Sequence, residues 1–271
     1  QTVFQKSFGD KFSTKALAKY AYYVTRYVNN DETQIHVDNT YRQQEMYFST
    51  SNVYEILSKW SVSMSYDFKW NKLNANMVDF AFPHRYSNFV SLATALTLSR
   101  IQAQASLVEQ VVKDHVKYGA SSSSRSTLTP AFFVNVYPFE SKLLAVRAFA
   151  KKSFRMPTFN DLYYADMGNS KLNPESALQY DLGFVLNKDW KQGIVDHFRL
   201  QVDGYYNTVY DKIVAYPKGQ QFRWTMLNLG KVHIKGVDAM AEVGLEPAKD
   251  WKVTARLQYT YQDARDVTDP N

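Results

Sequence analysis

Two stretches of the sequence carry side chains suited to holding a ligand. Tyr163, Tyr164 and Asp166 stand in "FRMPTFNDLYYADMGNSKLNPE", and Tyr216, Arg223 and Trp224 stand in "VYDKIVAYPKGQQFRWTMLNL". Tyr, Trp and Arg combine apolar area with donors and charge, which suits a large, partly polar molecule. The competing reading is that each stretch packs on its neighbours and touches nothing else. His84 and Arg85, at the end of the connection 72–85, repeat the pattern on a smaller scale.

Covalent chemistry has less support. Asp181, Asp203 and Glu242 could form general acid–base pairs. The reading preferred over this is that they pair with Arg199, Arg256 and Lys252 and keep a polar face hydrated. The chain has 5 His: His36, His84, His115, His197 and His233. None has a partner at metal-ligand spacing. With 0 Cys, thiol catalysis and a disulfide scaffold are excluded. No nucleophile elbow, phosphate loop or zinc signature occurs. The expectation is no catalytic residue, no metal and no cofactor.

The elements that must position these residues are strands. In "SKWSVSMSYDFKWNKL", Trp60, Val62, Met64, Tyr66, Phe68 and Trp70 alternate with Ser61, Ser63, Ser65, Asp67, Lys69 and Asn71. Strict alternation puts the two sets on opposite faces of a sheet. The pattern recurs in "SALQYDLGFVLN", "HFRLQVDGYYN" and "WKVTARLQYTYQ". It predicts about eleven strands, near 16–28, 40–53, 59–71, 86–98, 101–112, 128–138, 143–152, 176–187, 195–208, 230–245 and 251–262. The connections between them alternate short and long, with 29–39, 72–85, 113–127, 153–175 and 209–229 as the long set. An antiparallel meander with tight turns on one rim and elaborated loops on the other gives that rhythm.

The apolar face is framed by Trp and Tyr, rings that settle at membrane interfaces. Ten residues at about 3.3 Å each, tilted roughly 40°, cover about 25 Å of hydrocarbon. No apolar run reaches the roughly 18 residues of a membrane helix, but strands cross with about half that length. A soluble sandwich or lipocalin-like barrel, with the aromatics inside, is the alternative; soluble strands average only about five or six residues. The 32 basic and 26 acidic residues are scattered, whereas a nucleic-acid binder concentrates its cations in a stripe. The opening "QTVFQKSFGDKF" has no charged and apolar regions of the signal-peptide type.

One connection is distinctive. Phe-Arg-Met-Pro-Thr at 154–158, Leu-Tyr-Tyr at 162–164, Leu-Asn-Pro-Glu-Ser at 172–176 and Tyr-Asp-Leu-Gly-Phe at 180–184 follow in order. This order resembles the mid-barrel signature of TonB-dependent outer-membrane receptors. "VDGYYNTVYDKIV" and "NLGKVHIKGVDAMAEVGL" resemble the strands that follow it, so the resemblance covers about 143–263. It implies an all-β fold, an antiparallel meander forming part of a 22-stranded transmembrane β-barrel. It also implies a plug domain, TonB as energy source, outer-membrane lipid around the wall, a large nutrient ligand and a possible surface lipoprotein.

On this reading residues 1–271 are a partial barrel, with the plug domain and C-terminal strands supplied by a longer protein. An open sheet edge cannot remain unpaired in lipid. The expected function is TonB-dependent import of a scarce nutrient across the outer membrane of a Gram-negative cell. An outer-membrane barrel enzyme and a passive porin are the alternatives. Cobalamin or another corrinoid and a ferric siderophore fit as cargo, the compact loop at 154–175 being most similar to cobalamin-receptor-type members. Haem receptors in the family tend to carry a His in this loop, and 158–172 has none.

Overall fold

The computed structural model describes residues 1–30, 36–78, 80–164, 168–190, 193–218 and 223–268. It contains one antiparallel sheet of 12 strands in chain order. The strands are β1 (Thr2–Phe8), β2 (Phe12–Asn29), β3 (Val37–Leu57), β4 (Trp60–Ala75), β5 (His84–Thr97), β6 (Ile101–His115), β7 (Arg125–Val136), β8 (Leu144–Arg155), β9 (Glu175–Asp189), β10 (Val195–Lys218), β11 (Arg223–Ala248) and β12 (Trp251–Asp266). One short helix, α1 (Phe159–Tyr163), interrupts the loop between β8 and β9. Its connections alternate short and long as predicted as far as the loop after β8, but the expected long connection at 209–229 is not one.

Two strand assignments differ from the sequence reading. β1 was not expected, because "TVFQKSF" separates apolar from polar residues on neither face. Its pairing with β2, from Thr2↔Ala18 to Phe8↔Phe12, specifies it instead. The expected loop 209–229 is mostly strand: β10 and β11 run as a paired ribbon out to Lys218↔Arg223. Its alternation is obscured at Asp211, which adopts a positive φ of 52°. Asp tolerates that conformation better than most residues, and pairing resumes at Lys212↔Leu229.

The register sorts side chains onto two faces. Trp70 pairs with Tyr86, Leu92 with Met64 and with Leu107, Leu182 with Gly204, and Ala241 with Leu257. These apolar residues share one face and stay open: Leu92 is 54% exposed, Leu182 64% and Leu257 72%. The opposite face carries the charge. Glu45 accepts from Lys19 at 3.2 Å, from Lys69 at 2.9 Å and from Asn71 at 3.2 Å. Tyr47 donates to Asp67 at 2.9 Å. Asp203 and Glu242 are each only 6% exposed.

The charged face is the inner one. Tyr41 on β3, Leu73 on β4 and Ile213 on β10 meet in a single buried cluster with Phe159, Leu162, Tyr163 and Leu172. The sheet must curl toward that face for the loop after β8 to reach all three strands. Polar-in and apolar-out is the reverse of a soluble sandwich. An apolar band continuous over many strands far exceeds the exposed patches of soluble monomers, so it requires an apolar covering.

Candidate functional site

The loop between β8 and β9 is built to be rigid. Thr158 caps α1: its hydroxyl accepts from the Asp161 N–H at 3.2 Å, and the Asp161 carboxylate accepts from the Thr158 N–H at 2.8 Å. This reciprocal pair satisfies two helix-end donors. Pro157, at the first bend, is fully buried. Arg155 adds a bond to Asp161 at 3.1 Å.

Arg85 on β5 holds the loop down. Its guanidinium donates twice to Asp114 on β6, at 2.6 and 2.7 Å, and once to the Pro157 carbonyl at 2.6 Å. The Asp114 side chain is wholly buried. A charge pair this deep holds only when its geometry is bidentate and its remaining donors are used. The Phe159 ring lies 5.1 Å from the guanidinium carbon. At the other end of the loop, Asn173 and Asn228 on β11 exchange bonds at 2.9 and 3.1 Å, and Asn169 donates to the Met226 carbonyl at 2.9 Å. The loop thus ties β5 and β6 to β11 across the mouth of the curled sheet.

The ligand-suited residues of the sequence reading divide. Tyr163 is 8% exposed, and its hydroxyl accepts from the Ser122 N–H at 3.2 Å. Burial pushes its phenol above the ordinary range. It braces the loop and offers little surface to a ligand. Tyr164 is half-buried and stacks on Tyr41 with ring centres 5.1 Å apart. Asp166 lies outside the described residues.

On the β10–β11 ribbon, Tyr216 pairs with Thr225 and Pro217 with Trp224. Trp224 therefore shares the inner face with Ile213, while Tyr216 faces outward; both are exposed. Arg223 pairs with Lys218 in register, and its side chain lies outside the described residues. Tyr164 and Trp224 are the candidates left on the inner, loop-rimmed side. His84 and Arg85, adjacent in sequence, also split between the faces.

The carboxylates expected on the polar face are there, with partly different partners. Glu242 takes two bonds from Arg256, at 2.8 and 2.5 Å, and one from His197 at 3.3 Å. Asp203 is held by Arg147 on β8 at 2.8 and 2.5 Å, while Arg199 lies 4.0 Å from Glu242. Lys252 pairs with Glu246 at 2.9 Å, outside the Asp181, Asp203 and Glu242 set. Sequence reasoning missed Arg147 because β9 separates it from Asp203. The available signal was Gly183: a Cβ there would overlap the Asp203 carboxylate. Asp114 and Tyr41 were also missed, and no local pattern marks either as a loop anchor.

Comparison with known proteins follows from this geometry. The family model described as "TonB dependent receptor-like, beta-barrel" matches residues 1–271. A stretch of 118 residues is 28% identical to the vitamin B12 transporter BtuB of Vibrio vulnificus (strain YJ016), covering 43% of this chain and 17% of that protein. Among solved structures, the copper transporter OprC superposes with a TM-score of 0.73 at 16% identity, over 96% of this chain and 45% of that one. The FrpB iron transporter from Neisseria meningitidis (F3-3 variant) gives 0.71 at 14% identity, over 96% of this chain and 42% of that one. The chain spans less than half the length of these relatives.

Proposed function

The chain belongs to the TonB-dependent receptor-like β-barrel family, and we propose that it forms part of the wall of an active importer in a Gram-negative outer membrane. The observation that carries this reading is the polarity of the curled sheet, apolar outside and charged inside, with a stapled loop across one rim. The apolar face meets acyl chains. The inner face meets water and a plug domain supplied by the rest of a longer protein, and further strands close the sheet toward the 22 of the family barrels. TonB drives the plug, because the outer membrane has no nucleotide supply. The chain itself performs no covalent chemistry; the relatives matched are transporters.

The cargo is a large, scarce nutrient, a corrinoid or a ferric siderophore. Similarity to a vitamin B12 transporter supports the first, and likeness of fold to an iron transporter is compatible with the second. Tyr164 and Trp224 are the ligand contacts proposed on this chain. Asp166, Tyr216 and Arg223 would join them only where a cargo reaches past the rim, and a surface lipoprotein is a possible further partner on that side. The experiment is binding titration of the complete receptor with cyanocobalamin and with ferric chelates, followed by uptake in cells with and without TonB. Saturable binding and TonB-dependent uptake of one of them is expected. Passive, TonB-independent permeation would point to a porin instead.

A further inference from the structure

The outer face carries a second chemistry just past the aromatic ring pair. Trp70 and Tyr86 are register partners on that face. Two residues further toward the long-loop rim, Lys72 pairs with His84, and His84 pairs in turn with His115. Lys113, opposite Tyr86, is also on this face. The rings hold the imidazoles in place: Trp70 lies 6.0 Å from His84, and Tyr86 lies 6.0 Å from His115. Lys117 arrives from the following loop, its ammonium 5.7 Å from the Phe82 ring and 4.9 Å from the Tyr118 ring.

Beside them lies an open pocket of about 410 Å³, lined by Lys72, Asn74, Phe82, His84, His115 and Lys117 among others. Every one of its polar lining side chains can present an N–H donor, and no described carboxylate lines it. Among the described residues, Lys72, Lys113 and Lys117 have no ion-pair partner. The pocket is held by the backbone: the Leu73 N–H donates to the Pro83 carbonyl at 3.0 Å, and the Lys117 N–H to the Ala81 carbonyl at 2.8 Å. Its field is positive.

Two lysines beside N–H donors, with no described carboxylate among the lining residues, suit an anion with several acceptor oxygens. The face decides where that anion comes from. A cargo entering the receptor travels on the inner side of the sheet; this pocket opens on the outer side. Directly below it runs the apolar band, where Val90, Leu92 and Leu107 are exposed. We propose that the pocket seats the phosphate of a lipid headgroup from the leaflet on the long-loop side, with the acyl chains of the same lipid lying along that band. The site anchors the wall at a fixed depth and is independent of which nutrient is carried. It rests on the outer face meeting lipid.

The test uses the complete receptor, purified in a non-ionic detergent and followed by native mass spectrometry. The probes are bis-phosphorylated lipid A, the same lipid with its phosphates removed, and inorganic phosphate. The phosphorylated lipid is expected to stay bound and the dephosphorylated one to be lost. A Lys72→Gln/Lys117→Gln double variant should retain it about thirtyfold more weakly, since each basic residue near an anionic headgroup contributes about 1 kcal/mol. The charge-keeping Lys72→Arg/Lys117→Arg variant should retain it, as should Lys151→Gln, whose lysine is on the inner face. Folding of each variant is checked by heat-dependent mobility on gels. Equal retention of both lipids would overturn the proposal. So would undiminished retention by the folded glutamine variant, or binding of inorganic phosphate as tight as that of the lipid.

Discussion

Arg147 on β8 and Asp203 on β10 form a two-point ion pair although β9 lies between them. They meet because Gly183 stands at the crossing and leaves the inner face open there. A glycine inside a strand is usually a cost; here the missing side chain is the route by which one strand's charge reaches another's.

Gly183→Ala is therefore expected to destabilise the wall. The added methyl overlaps the Asp203 carboxylate and approaches the Val202 carbonyl. Overpacking of this kind costs about 1–3 kcal/mol. The unfolding midpoint of the complete receptor in denaturant should fall, while Gly204→Ala, which has only a distant backbone neighbour, should change it much less. Equal effects at the two positions would rule out the crossing as the cause.

Arg85→Met should release the loop between β8 and β9 rather than unfold the sheet. It leaves the buried Asp114 without its partner, a loss of about 3–5 kcal/mol for pairs of this depth. It also removes the donor to Pro157. Amide exchange in 158–164 should accelerate strongly, with exchange along β10 unchanged. Arg85→Lys should fail to rescue, because an ammonium cannot reproduce the planar fork. Unaltered exchange in the loop would show that Arg85 does not hold it.

Alkali should have the same effect by another route. Burial favours the neutral phenol of Tyr163, so its folded pKa lies above the ordinary value of 10.0. The folded loop then holds its proton more tightly than the undocked loop. That stability is complete below pH 10 and is lost as the pH rises through the folded value. Loop exchange, corrected for its intrinsic pH dependence, should therefore rise above pH 10. Tyr163→Phe should abolish that rise while losing the Ser122 bond, about 1 kcal/mol. A Phe variant with the same alkaline response would assign the transition to another group.

Trp224→Ala should weaken cargo binding by about tenfold, in line with an aromatic contact of about 1–2 kcal/mol. Tyr163→Phe should leave affinity nearly unchanged, since its ring already packs inside the loop. Both follow from titration of the complete receptor with cyanocobalamin and ferric chelates. If Tyr163→Phe is the more damaging, the ligand surface lies on α1 and not on the ribbon.

The strands were legible where one face is apolar without interruption. Trp60 to Trp70 and Trp251 to Tyr261 alternate so regularly that the division into two faces follows from the sequence. β3 was harder to read, because Tyr41, Tyr47 and Glu45 fill the inner face of a strand whose outer face carries Arg42, Gln44 and Asn52. Those inner residues serve long-range partners, Met77, Asp67 and Lys69, that no local window contains. In the loop at 154–175, Pro157, Pro174 and the turn-forming Asn160 and Asp161 are sequence marks of an ordered connection. What it docks on was not legible, since Arg85 and Asp114 lie 72 and 43 positions before Pro157 in the chain. Likewise, Tyr216 and Trp224 are close in sequence, and only the ribbon register puts them on opposite faces.

The account depends most on which face meets lipid, and residues 1–271 contain 0 Cys, so a Cys introduced there labels one position once any Cys elsewhere in the complete receptor is replaced. Single spin labels are placed at Leu182→Cys and Leu200→Cys on the outer face, and at Gln179→Cys and Gln201→Cys on the inner face, in the complete receptor reconstituted into bilayers. Relaxation by oxygen, which partitions into lipid, is compared with relaxation by a water-soluble nickel chelate. The outer labels should respond to oxygen and be shielded from nickel, and the inner pair should show the opposite preference. Outer labels shielded from both reagents would place Leu182 and Leu200 in a closed apolar core and contradict the importer-wall reading.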